Sequence, residues 1–208
     1  MFALVLAVLL PGAAVAAWFL NAQLLQARTA AEDKVRLLVD NTMATLRLTL
    51  DDHQNLMQRL ADRPRVRALD AANFDPGVLE LASIHPEFNT LTVRDRQAGP
   101  VFSSRPNPNT PEQFAAFAWF KEGLASQRFL ASDAFKGTLT GRWVTVLTLP
   151  VRDIGGAVAG LMSLSLDLLT LNQRVFGAMA PTAIVAVTDR QSRYLLRSGN
   201  PEVWLGQP

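Results

Sequence analysis

Cysteine is absent from this chain of 208 residues. Without it there can be no disulfide scaffold, no thiolate zinc site, no cysteine nucleophile and no thiol-linked lipid. Histidine is nearly absent too: His53 and His85 stand too far apart to make a helical metal pair, so no metal ligands are assigned. Charged residues make up 18% of the chain, against about a quarter in an ordinary soluble domain. The 20 Lys and Arg and the 18 Asp and Glu leave a net charge of +2, too small without a basic cluster to mark a nucleic-acid surface. No Gly-x-Ser-x-Gly elbow, phosphate loop or dinucleotide fingerprint occurs. Asp133, Asp153 and Asp167 fall at predicted turns and strand ends, where aspartate serves the backbone. The sequence therefore assigns no catalytic residue and no cofactor, and the chain is not read as an enzyme. Apolar residues, at 49%, are plentiful enough to exclude disorder.

Much of that apolar content lies at one end. Phe2 to Leu20 is an uncharged run of 19 residues, about 30 Å long as a helix, which matches the hydrocarbon core of a bilayer. Residues 1–21 are read as a transmembrane anchor with Trp18 at its interfacial end. A cleaved signal peptide is the competing reading, because Ala14-Val15-Ala16 before Ala17 is like a cleavage site; the length of the run and the lack of a basic residue ahead of it speak against that. Arg28, Lys34 and Arg36 follow the run and on their own favour the opposite topology, so the charges specify orientation weakly.

From Asn21 to Ala72 there is no glycine and a single proline, Pro64. Good helix formers dominate, and residues 22–73 are predicted to form one long stalk helix or two in line. Val39, Met43, Leu46, Leu50, His53, Met57 and Leu60 alternate steps of four and three, the seam of a coiled coil or of a helix lying on a domain. A homodimer through this helix is expected. His53 is the ionisable residue on the seam: a pH-sensitive register residue between two chains, or, the preferred reading, a hydrogen-bonded or edge-exposed histidine. Arg59, Arg63, Arg65 and Arg67 read as a solvated helix end.

Beyond the stalk the fold class is α+β. Asp75-Pro76 opens a short helix that ends near His85-Pro86. Leu91 and Val93, then Val101 and Phe102, form two short strands joined by Arg94–Gly99. Thr110-Pro111-Glu112-Gln113 is a strong helix start, with the helix predicted to run to Ser126. An extended stretch near 129–135 precedes strands over 142–152 and 157–166, which are separated by Asp153-Ile154-Gly155-Gly156. Asp167 leads into a helix ending near Gly177. Residues 74–179 are thus one antiparallel sheet with flanking helices. Residues 180–208 begin another unit, because the apolar strand, Asp-Arg-Gln turn and Ser of the first hairpin (Asp95-Arg96-Gln97, Ser103) recur as Asp189-Arg190-Gln191 and Ser198. Stopping one hairpin into that unit, and starting directly on the apolar run, the chain is expected to be a piece of a longer protein.

The feature that could bind something is an aromatic helix facing a sheet. Phe117, Trp119 and Phe120, with Phe135, Trp143 and Ser165, are the candidate ligand-binding residues; the competing reading is that they are simply core.

The order of these short motifs, from Ser103-Ser104-Arg105-Pro106 through Trp119-Phe120, Thr140-Gly141-Arg142 and Leu149-Pro150-Val151-Arg152-Asp153 to Leu164-Ser165-Leu166-Asp167-Leu168, resembles the double Cache family of extracytoplasmic sensors. The resemblance implies a membrane-distal PAS-like module over 74–179, the start of a membrane-proximal one over 180–208, and a periplasmic placement at the inner (cytoplasmic) membrane. It also implies an output domain outside this chain: a two-component histidine kinase, a diguanylate cyclase of cyclic di-GMP signalling, or a methyl-accepting domain. The amino-acid-binding branch of the family carries a Tyr, an Arg and a Trp on the helix and an Asp on the last strand. With Trp119 as that Trp, Phe117 stands for the Arg, Glu112 for the Tyr and Ser165 for the Asp. Losing the cation and the anion that hold a zwitterion, the pocket is expected to take a small molecule that is not an ordinary amino acid. A structural dimerisation or partner-docking ectodomain without a ligand is the alternative.

Overall fold

The computed structural model describes residues 2–73, 77–78, 87–177 and 183–208, with side chains from Trp18 onward. The helix predicted from Asp75-Pro76 to His85-Pro86 lies outside the described residues, apart from helical backbone at 77 and 78. Two compact units make up the chain, Met1–Ala44 and Thr45–Pro208.

Helix α1 spans Phe2–Ala61 without interruption. The side chains of the first 17 residues, most of the expected anchor, lie outside the described residues; among the described residues no helix is long and apolar enough to cross a membrane. The stalk stops short of its predicted end. Pro64 disfavours helical backbone at the residue before it, and Arg63 is extended, with φ −64° and ψ 137°. Pro64–Arg67 then forms a single turn, α2.

The heptad seam divides along its length. Val39 and Met43, in the first unit, are exposed at 42% and 39%; Leu46 and Leu50 are half-buried, and His53, Met57 and Leu60 are buried to 2% or less. His53, Met57 and Leu60 are therefore spent on the chain's own domain, whose core buries them. His53 is neither edge-exposed nor at a chain-to-chain contact. Its Nε2 lies 3.4 Å from Glu87 Oε1, its ring packs 5.2 Å from Phe88, and Arg174 donates to the same Glu87 oxygen.

The sheet is antiparallel throughout, in the order β2-β1-β6-β5-β3 with β4 also paired to β5. Its strands are β1 (Phe88–Asp95), β2 (Pro100–Ser103), β3 (Leu130–Ala131), β4 (Phe135–Lys136), β5 (Trp143–Arg152) and β6 (Val158–Asp167). Register puts Thr90, Thr92, Val144, Val146, Ser163 and Ser165 on one face and Leu91, Val93, Leu147, Leu149, Met162 and Leu164 on the other. Both faces are covered, so the central strands are buried almost residue after residue, the hydroxyl-bearing positions included. Met57, Leu60 and Val66 from α1 and α2 complete the core. At the β5–β6 turn Gly156 takes φ +85°, and Arg67 braces the turn by donating to the carbonyls of Arg152 and Asp153.

The helix expected over Thr110 to Ser126 is two helices. Thr110 caps the first, α3 (Pro111–Ala116), through a reciprocal capping box with Gln113. Phe117 is extended, at φ −61° and ψ 132°, and α4 runs over Ala118–Ser126. Asp167, at the end of β6, caps α5 (Leu168–Phe176) by accepting from Thr170 N at 2.9 Å.

After it, β7 (Ala186–Thr188), β8 (Tyr194–Arg197) and α6 (Pro201–Trp204) repeat the β1–β2 hairpin. Asp95 Oδ1 accepts from Gln97 N and Gly99 N, and Asp189 Oδ1 accepts from Gln191 N and Arg193 N. The equivalent serine is Ser104 and not Ser103: Ser104 Oγ accepts from Leu91 N, as Ser198 Oγ accepts from Val185 N. This segment docks on the main sheet's end through Leu205, clustered with Ala134 and Leu168, and through Asn172 Oδ1, which accepts from Arg197 N.

Candidate functional site

The break at Phe117 creates the site. In an unbroken helix, residues two apart do not face each other; here the Phe117 and Trp119 rings stack, 5.6 Å apart at 15°. Phe114 meets both edge-on, and Phe135 from β4 approaches Phe117 at 6.3 Å. Beneath this aromatic roof lies a cavity of about 50 Å³, room for about three or four water molecules. Its floor is the hydroxyl-bearing face of the sheet, Thr90, Thr92, Ser163 and Ser165; Asn107 and Asn109 close it from the loop before α3. None of its lining residues is ionisable.

Thr92 Oγ1 and Ser163 Oγ satisfy each other at 2.6 Å. Thr90 Oγ1 and the Trp119 indole Nε1 are buried with no hydrogen-bond partner among the described residues. Both residues line the cavity, and a buried polar group without a partner costs stability. Behind the roof, Arg94 places its guanidinium 3.7 Å over the Phe114 ring and donates to Ala98 O at 2.7 Å; burial pushes its pKa down.

Of the candidate residues, Phe117, Trp119, Phe135 and Ser165 surround this cavity together. Phe120 and Trp143 do not. Phe120 is 2% exposed and packs with Ala98, Phe114 and Leu161 on the far side of the roof. Trp143, half-buried at the start of β5, packs against the Ala134, Leu168 and Leu205 cluster and against Gly206. The sequence reasoning missed Thr90, Thr92, Ser163, Asn107 and Asn109. For the first three a signal existed: Thr-Leu-Thr in β1 and Ser-Leu-Ser in β6 put paired hydroxyls on one face of their strands. The asparagines sit in a proline-rich loop with no periodic signal.

A second cavity, about 380 Å³ and polar, adjoins the first; Asn89 lines both. Its charged groups are Arg105, Arg142 and Asp167, with Arg142 NH1 3.6 Å from Asp167 Oδ2. On the other side of the roof, a cleft of about 400 Å³ shares Phe117, Trp119 and Phe135 with the inner cavity. There the β3–β4 loop grips the Asp189 turn: Ala134 N donates to Asp189 Oδ2, Arg190 donates to Asp133 and to Glu122, and Arg193 donates to Ala134 O. Among the described residues no group of acidic or histidine side chains could hold a metal ion.

No protein-family model matches the sequence. Solved structures do. The ligand-binding domain of the Pseudomonas aeruginosa amino-acid chemoreceptor PctC, in complex with GABA, superposes with a TM-score of 0.56 at 20% identity over 82% of this chain and 75% of that one. That of the Pseudomonas fluorescens chemoreceptor CtaA, in complex with L-serine, gives 0.56 at 16% identity over 79% and 70%. The extracellular domain of rpHK1S-Z16, described as a histidine kinase, gives 0.55 at 17% identity over 80% and 66%. The chain shares the fold of these receptor sensor domains. Two of these neighbours are ligand-binding domains of chemoreceptors, and the third is an extracellular domain of a protein described as a histidine kinase.

These neighbours overturn one expectation, that the ligand is not an ordinary amino acid: domains of this fold hold GABA and L-serine. The exclusion rested on Phe117, Glu112 and Ser165 as the sources of charge. The folded cavity is instead lined by hydroxyls and amides from four separate segments, and neutral donors and acceptors of that kind fix polar ligands in many sites. A missing Arg at 117 and a missing acid at 165 are no ground for excluding amino acids.

Proposed function

We propose that this chain is the extracytoplasmic sensor region of a membrane-bound signalling protein, with an amino acid or close relative as its ligand at the cavity beneath Trp119. The observation that carries this reading is one cavity lined by Thr90 and Trp119, two residues whose Oγ1 and Nε1 are buried without a partner among the described residues. The amino-acid complexes of chemoreceptor domains with the same fold support it. In this reading Phe2–Leu20 is a membrane anchor, the globular part lies in the periplasm, and residues 180–208 open a second PAS-like module. Binding is passed along two routes: through α1, whose His53 is tied to the start of β1, and through the loop that carries Phe135 and grips the Asp189 turn. Each route needs only a ligand that prefers one of two arrangements.

Thermal unfolding of the purified chain against the common L-amino acids and GABA tests the reading. A ligand that binds the folded state raises the melting temperature, by about 2.7 kcal/mol of stability at a hundredfold excess over its dissociation constant. Trp119→Phe removes the indole donor while keeping the ring, and is expected to shrink that rise. If no amino acid moves the transition, the reading fails.

A further inference from the structure

The inner cavity, at about 50 Å³, is smaller than an amino acid and carries no charged side chain. The cavity beside it is larger and carries charge of both signs. The two are consecutive stretches of one trough. Ser165 floors the first and Asp167, two residues on along the same face of β6, floors the second; the loops that wall the first at Asn107 and Leu139 wall the second at Arg105 and Thr140. Asn89, on the irregular start of β1, stands between them.

We propose that Arg105, Arg142 and Asp167 form the head-group subsite for a zwitterionic ligand whose side chain enters the cavity under Trp119. Asp167 is 6% exposed. Its Oδ1 is committed to capping α5, accepting from Thr170 N and Oγ1, and its Oδ2 faces Arg142 across 3.6 Å, longer than a hydrogen bond. An ammonium group entering here takes Oδ2 as its counter-ion and releases Arg142. Arg142, 69% exposed along its side chain, and the exposed Arg105 then have guanidinium N–H groups to close on the carboxylate. The exchange leaves the local charge as it was. It needs both charges of the ligand: a carboxylic acid alone leaves Arg142 competing with Asp167, and an amine alone strands the two arginines. The subsite thus supplies, from positions other than 117 and 165, the two charges that those positions lack.

The inference rests on the sensor reading, and the test separates them. Binding of GABA, L-serine and the other common amino acids to the full chain is measured by calorimetry beside matched analogues, butyrate and butylamine for GABA. The expected result is that whichever amino acid binds does so at least about tenfold more tightly than its analogues without the ammonium or the carboxylate, the worth of one charged hydrogen bond. Arg105→Gln and Arg142→Gln, both at exposed side chains, are expected to weaken it by about tenfold each. Asp167→Asn keeps a helix-capping oxygen and is expected to lose the preference for the ammonium group. If the three variants, checked as folded by circular dichroism, bind an amino acid as the wild type does while Thr90→Val weakens it, the head group lies in the inner cavity and the subsite is overturned with the sensor reading intact. If no amino acid binds the wild type, both fall.

Discussion

Thr90 is the residue at which structure and function pull apart. A hydroxyl that is 5% exposed and unpartnered costs stability in the ligand-free protein. Thr90→Val keeps the shape and removes the orphan, so urea unfolding is expected to show a ligand-free stability unchanged or raised by up to about 1 kcal/mol, together with weaker ligand binding. A purely structural threonine would give a loss on the first measurement and nothing on the second. Gly160 gives the opposite behaviour. A Cβ there would run into the carbonyl oxygen of Arg94 on the paired strand, and Gly160→Ala is expected to destabilise by about 1–3 kcal/mol in the same assay. That Trp119 belongs to an aromatic cluster facing the sheet was legible because the aromatics cluster over 114–120. Thr90 was not singled out, because a threonine in a strand is ordinary until its neighbours are known to leave it without a partner.

Among the elements, hairpins and caps were the most readable, because their chemistry is local. The Asp-Arg-Gln turn, repeated at Asp95 and Asp189, makes the same hydrogen bonds in both places. The break in the aromatic helix was not readable: no Gly or Pro marks Phe117, and ring packing, not propensity, sets its extended backbone. The grip between the β3–β4 loop and the Asp189 turn is likewise tertiary. Burial pushes the Asp133 carboxyl up, but hydrogen bonds from Arg190, with further help from Gln191, outweigh it and hold the pKa below its ordinary 3.8. A group depressed on folding contributes stability that is present above its unfolded value and lost as pH falls through its folded one. The β7–β8 segment is therefore expected to loosen below about pH 4, seen as faster amide exchange over 186–197 while β5 and β6 stay protected. Asp133→Asn should remove that pH dependence, and Asp189→Ala should speed exchange in the same segment at neutral pH.

For the whole molecule, the long helix is the element whose two parts differ most. Residues 18–44 are mostly exposed, whereas α1 from His53 to Ala61 is built into the core. An unpacked helical stretch opens more readily than a packed one, so limited trypsin digestion is expected to cut first at Arg28, Lys34 and Arg36. The product, resolved by mass spectrometry, should keep the melting temperature of the domain to within a few degrees, since none of those residues is buried. The amino-acid pattern was sufficient for the α+β class, the order of the strands, the hairpin repeat and the capped start of the aromatic segment, because periodicity, capping and turn chemistry act between near neighbours in the chain. Which half of the seam faces inward, which aromatics roof the cavity, where the charges for a ligand come from and which hydroxyls are left unpaired were decided by tertiary structure. Each depends on strands and loops far apart in sequence, and only the register of β1, β5 and β6 brings them to one face.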